Sequence, residues 1–92
     1  MPRKAREVIT GLGKKGFRKR ENDHTYLTLW VDGRKTAVWT KVSHGEKEIH
    51  DRLLAVMARQ ICLSRQQFLD LVDCPLTEVE YIQMLREGGH VA

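Results

Sequence analysis

Apolar residues recur along this chain with two different periods, and the changes between them divide it into three stretches. Between residues 4 and 15, Ala5, Val8, Ile9 and Leu12 fall three and four positions apart, the spacing of one helical face. Gly11 and Gly13 lie inside that stretch, and each weakens a helix by about 1 kcal/mol relative to alanine. Gly16 supplies a stop, and Phe17–Arg20 reads as a short first strand.

From Thr25 to Val42 the period becomes two. Thr25–Val31 and Lys35–Val42 are rich in β-branched and aromatic residues, and between them stands Asp32-Gly33, the pair that favours a two-residue type I′ turn. Such a turn sets the register of the hairpin. Val31 is expected to face Arg34, Trp30 to face Lys35, Thr28 to face Ala37, Leu27 to face Val38, Tyr26 to face Trp39 and His24 to face Lys41. Alternation puts Leu27, Leu29, Val31 and Val38 on one apolar face, directed at the core. The other face gathers His24, Tyr26, Thr28, Trp30, Lys35, Trp39 and Lys41, joined by Arg18 and Arg20 if Phe17 points inward.

The helical period returns in the second half. Ile49, Leu53, Val56, Met57 and Ile61 form a stripe, preceded by Ser43 and Glu46 at capping-box spacing. Ser64 with Gln67 repeats the spacing before Phe68-Leu69-Asp70-Leu71-Val72. After Pro75, Thr77 with Glu80 opens a last helix over residues 77–86, carrying Val79, Ile82 and Leu85. The order α-β-β-β-α-α-α predicts an α+β fold: one domain over residues 1–92, with a three-stranded antiparallel sheet and helices on its apolar face.

Bulk properties narrow the setting. Hydrophobic content of 41% with 30% charged residues suits a folded globule rather than a disordered chain. No apolar run nears the length of a membrane span, and the N-terminus lacks the apolar core of a signal peptide. Cys62 and Cys74 are therefore expected to be buried, reduced thiols in a cytoplasmic protein. Net charge is +4, unevenly spread: residues 1–41 carry +7 and residues 42–92 carry −3. That polarity suits a polyanion bound through the first half, or else a solvated basic surface.

Aromatic rings interleaved with cations on one sheet face suit RNA. Arg18, Lys19, Arg20 and Lys35 would take phosphates, while Tyr26, Trp30 and Trp39 would stack bases. The alternative is that the two tryptophans are covered by the last helix or by a partner chain, a second copy of this one included. His24 is a catalytic base, an RNA contact or an ordinary surface group. With Lys41 across from it, an imidazole could move a proton while an ammonium held the phosphate. His44 is expected about three pairs further along, near 10 Å at about 3.3 Å per residue, as a second proton-transfer group or part of the turn. His50 and His90 are read as surface residues, and no spacing resembles a metal site, a Gly-rich phosphate loop or a serine-nucleophile motif, so neither metal nor cofactor is expected.

A second motif competes for the function. Residues 57–68 have the rhythm of a helix-turn-helix, with small Ala58, a Leu-Ser turn and Cys62 in place of the usual glycine. Arg65, Gln66 and Gln67 would then be offered to DNA base edges, with Asp70 and Asp73 bringing unfavourable charge.

A first helix leading to Gly16-Phe17, a basic strand and a histidine opening the next strand together resemble the HicA toxins of toxin–antitoxin systems. Leu54, Met57, Gln60, Leu63 and Phe68 fall where that family's leucine-rich helix and following Phe-Leu segment would place them, so the resemblance covers residues 3–72. It implies a fold similar to double-stranded-RNA-binding domains, cleavage of mRNA without a metal, and neutralisation by a HicB antitoxin covering the active face. His24 would be the catalytic histidine, preceded here by Asn22-Asp23 where the family usually has Gly-Ser. Residues 73–92 lie outside the resemblance, as a further helical segment or an oligomer contact.

Overall fold

Asp32 and Gly33 adopt φ values of 52° and 77°, the two positive angles that a type I′ turn requires, and they join the two longest strands. In this computed structural model, which describes residues 2–45, 47–73 and 75–91, those strands are β3 (His24–Val31) and β4 (Arg34–Ser43). Before them come a two-residue strand β1 (Arg3–Lys4), helix α1 (Ala5–Gly13) and strand β2 (Phe17–Glu21). After them come a two-residue strand β5 (Glu48–Ile49) and helices α2 (Asp51–Gln60), α3 (Arg65–Asp73) and α4 (Glu78–Glu87). The main sheet is antiparallel in the order β2-β3-β4, and β1 pairs with β5 in a separate small ladder. This is the α+β architecture expected, with a three-stranded antiparallel sheet and, among the described residues, four helices.

The core lies on the face that carries Phe17, Leu27, Leu29, Val38 and Val42, all buried, and the helices close over it with Leu12, Leu54, Phe68 and Tyr81. Helix α1 comes so close to α3 that a Cβ on Gly11 would stand 2.7 Å from the Val72 carbonyl oxygen. Lys15 is buried beside them, and its amine donates to the carbonyls of Leu71 at 2.6 Å and Leu76 at 2.7 Å. Those two acceptors sit near the C-terminal end of α3, where helical carbonyls otherwise lack partners.

Helix α2 begins later than its pattern suggested. Ile49 pairs with Arg3 in the small ladder, and the helix is capped by His50, whose Nδ1 accepts from the Leu53 N–H at 3.3 Å. Ser43 ends β4, and Glu46, its expected partner in a capping box, lies outside the described residues, as does Cys74. Ile49 is thus not helical, but the expected stripe is otherwise met: Ile49, Met57 and Ile61 are buried and Leu53 packs against the core, so that Val56 is its one misplaced member. Leu54, Met57, Ala58 and Ile61 point inward, while Val56 is exposed. The two later capping boxes form as expected, Ser64 with Gln67 and Thr77 with Glu80.

Helix α4 lies on the core side. The Tyr81 ring stacks on Phe17 with centroids 6.0 Å apart, and its hydroxyl donates to the buried Ile61 carbonyl at 2.7 Å. The alternative in which this helix covers the tryptophans fails because the side chains it buries, Tyr81 and Leu85, are taken up by the core. Cys62 is half-buried rather than buried, and it lies in the α2–α3 turn.

Candidate functional site

On the outer face of the sheet, strand pairing arranges side chains in rows. Tyr26 stands between Arg20 on β2 and Lys41 on β4, and Thr28 between Arg18 and Trp39. Trp30 faces Lys35, and His24 faces Ser43. The register expected from the turn therefore holds for Val31 with Arg34 and Trp30 with Lys35, then shifts by two residues. The cause is a bulge. Between those pairs and the Thr28–Trp39 pair, β4 runs through Thr36, Ala37 and Val38 where β3 has only Leu29. The Thr36 hydroxyl holds it, donating to the Leu29 carbonyl at 2.8 Å and accepting from the Val38 N–H at 3.2 Å.

Two residues, an even number, keep every side chain on its expected face while sliding the partners. Lys41 is thus diagonal to His24 rather than opposite it. His44, expected three pairs away, directly follows the residue opposite His24, and its Nε2 lies 3.8 Å from Glu21 Oε2. Lys19 pairs with the buried Leu27, so it leaves from the other side of the sheet at the exposed β2 edge, away from His24.

The aromatic groups are not equivalent. His24 and Tyr26 rings are 6.2 Å apart and tilted by 60°, and Tyr26 and Trp39 rings are 5.8 Å apart and tilted by 47°. The Arg18 guanidinium carbon lies 3.9 Å from the Trp30 ring centroid, so one face of that ring already holds a cation. Trp39 is the ring left to solvent, 44% exposed.

Asp23 joins the face, which a regular strand would not allow. The chain turns through Asn22, whose N–H donates to the His24 carbonyl at 2.9 Å, and β3 begins only at His24. Asp23 Oδ1 then accepts from the Tyr26 hydroxyl at 2.9 Å and from the His24 N–H at 3.1 Å. The bond to Tyr26 is the main reason the Asp23 carboxyl is held below its ordinary value, and it raises the Tyr26 phenol in turn. Nothing in the sequence pairs Asp23 with Tyr26, and the Asn-Asp pair by itself signals only a turn. On His24 itself, Nδ1 is shielded from water and has no hydrogen-bond partner among the described residues.

At the competing motif, α2 ends in a Schellman turn: the Leu63 N–H donates to the Ala58 carbonyl at 2.8 Å and the Cys62 N–H to the Arg59 carbonyl at 3.1 Å. Cys62 takes φ 69°, the left-handed conformation usual for a glycine there. Arg65 Nη1 lies 3.5 Å from Asp51 Oδ2, Gln66 donates to Asp70 at 3.0 Å, and Gln67 accepts from the Ser64 N–H at 2.9 Å. All three side chains expected at base edges are thus engaged within the protein.

Among the described residues no helix is long and apolar enough to cross a membrane, and no three His, Cys, Asp or Glu side chains gather as a metal site. What the fold and this face define is a small α+β domain with an open sheet surface, aromatic and basic, and one histidine at its edge. No family model, curated protein or solved structure matches the chain.

Proposed function

We propose that the chain is a cytoplasmic, metal-independent RNA endonuclease of the HicA kind, an mRNA interferase neutralised by a HicB-like antitoxin that covers the same face. The observation that carries this reading is the row arrangement. The row beside His24 holds Tyr26 flanked by two cations, Arg20 and Lys41, on an outer face that the helices leave open.

In this reading His24 Nε2 takes the proton of a ribose 2′-hydroxyl. The 2′-oxygen attacks phosphorus, the bond from phosphorus to the 5′-oxygen breaks, and the departing oxygen is protonated by the imidazolium or by His44. The products are a 2′,3′-cyclic phosphate and a 5′-hydroxyl. Lys41 and Arg20 stabilise the charge that builds on the phosphorane, and Arg18 and Lys35 steer the backbone. Trp39 stacks a base, or docks the antitoxin when RNA is absent.

The test is incubation of the purified protein with a long RNA in EDTA, beside His24→Ala checked for a native circular dichroism spectrum. Cleavage by the parent and none by the folded variant is expected. RNA left whole by the parent removes the catalytic claim, and retention of that RNA in a binding assay would leave a non-catalytic RNA-binding module. A helix-turn-helix DNA-binding regulator is favoured by one observation, the left-handed Cys62 in the α2–α3 turn. It requires Arg65→Ala to weaken duplex-DNA binding while His24→Ala leaves it unchanged.

A further inference from the structure

The bulge in β4 does more than shift the register. Its residues Thr36 and Ala37 also line a groove of about 410 Å³ on the outer face, together with Arg20, Tyr26, Lys35 and Trp39. That volume is within the range of sites that hold small organic groups, about 300–1,000 Å³.

Three features specify the occupant. Trp39 forms one wall with 44% of its surface open, a flat π-face next to a space of the right size for a planar ring. Among the described residues no carboxylate lines the groove, whereas Arg20 and Lys35 both do, so the surroundings favour an anion. Neutral donors and acceptors, Asn22 and Thr28, complete the lining and can meet the edge of a heterocycle. At the apex of the bulge sits Ala37, exposed, with the smallest side chain that a strand readily accepts. A bulky residue there would fill the space.

We propose that this groove receives one unstacked base of a single-stranded RNA, against Trp39, with the adjoining phosphates on Arg20 and Lys35. The rings of His24, Tyr26 and Trp39 follow one another at 6.2 and 5.8 Å, so a strand held at Trp39 continues over Tyr26 to His24. The groove thereby sets which nucleotide lies at the reactive position. This rests on the RNA reading above and adds a base subsite and a register to it.

The experiment measures fluorescence anisotropy of short, labelled 2′-O-methyl RNA oligonucleotides, which lack the attacking hydroxyl and so report binding without cleavage. The proteins are the parent, Ala37→Phe, Trp39→Ala and Val79→Ser, each checked for a native circular dichroism spectrum. Val79 is 79% exposed on α4, away from the groove. Loss of a base–aromatic stack should weaken binding by about tenfold or more in Trp39→Ala, and filling the groove should do the same in Ala37→Phe, while Val79→Ser binds as the parent does. Parent-like binding by Ala37→Phe and Trp39→Ala would overturn the subsite and leave RNA binding standing. If the parent binds none of the oligonucleotides, the RNA reading itself fails and the subsite with it. Should Ala37→Phe not fold, Trp39→Ala decides.

Discussion

The hydroxyl of Tyr26 donates to the carboxylate of Asp23 at 2.9 Å, tying the turn before β3 to the second residue beyond His24. Each partner alters the titration of the other. Asp23 ionises below its ordinary 3.8 and Tyr26 above its ordinary 10.0. A depressed carboxyl contributes stability above its unfolded value and loses it as pH falls through the folded one. A raised phenol contributes below its unfolded value and loses it as pH rises through the folded one. The contact is therefore complete between about pH 4 and pH 10. In Tyr26→Phe the Asp23 carboxyl, followed by NMR titration, is expected to move up towards 3.8. An unchanged Asp23 midpoint would show that the hydrogen bond does not form in solution.

Gly11 and Gly13 look alike in sequence and should respond oppositely to alanine. Around a Cβ at Gly13 nothing lies within 4 Å, so Gly13→Ala should gain most of the helical preference, about 0.5–1 kcal/mol. At Gly11 the same atom would meet backbone of Val72 at 2.7 Å and 3.0 Å, which must move. Gly11→Ala is expected to destabilise by about 1–3 kcal/mol, as overpacking does. Urea titrations of the two variants check the signs.

Cys62 occupies a left-handed position with a side chain that gains little from it. Cys62→Gly should raise stability by about 0.5–1 kcal/mol, or roughly 2–8 °C in melting temperature for a domain of this size. Cys62→Ala keeps the strain and gives up packing, so it should melt below the parent. The order Gly, Cys, Ala in a thermal scan is the expected outcome.

Tyr81 is fully buried with its hydroxyl on the Ile61 carbonyl, and burial pushes its phenol well above the ordinary 10.0. Tyr81→Phe leaves that carbonyl without this donor and should cost about 1–3 kcal/mol, seen as a lower denaturant midpoint at unchanged slope. In the parent, ultraviolet titration should show Tyr81 ionising only as the protein unfolds in alkali, because the raised group loses its contribution as pH climbs.

Much of this fold was legible because its causes are local. Asp32-Gly33 demands its turn through φ alone, Ser64–Gln67 and Thr77–Glu80 cap helices within four residues, and the alternation from Thr25 to Val42 assigns faces whatever lies opposite. The helix at α2 was misread for a non-local reason: Ile49 belongs to a ladder with Arg3, and nothing near Ile49 announces a strand 46 residues earlier in the chain.

The same division runs through the candidate site. That His24, Tyr26, Trp30, Trp39, Lys35 and Lys41 share a face followed from the period of two, and the +7 charge of the first 41 residues was plain in the sequence. Which of them touch did not follow. The bulge at Thr36–Val38 depends on a hydroxyl reaching the Leu29 carbonyl on another strand, and it slid Ser43 rather than Lys41 opposite His24. Placement of α4 on the core side, which leaves Trp39 open, came from the stacking of Tyr81 on Phe17. Sequence by itself determined periodicity, caps and charge, because those act through neighbouring residues. Tertiary structure alone decided register, groove and exposure, because those depend on what the rest of the chain brings alongside.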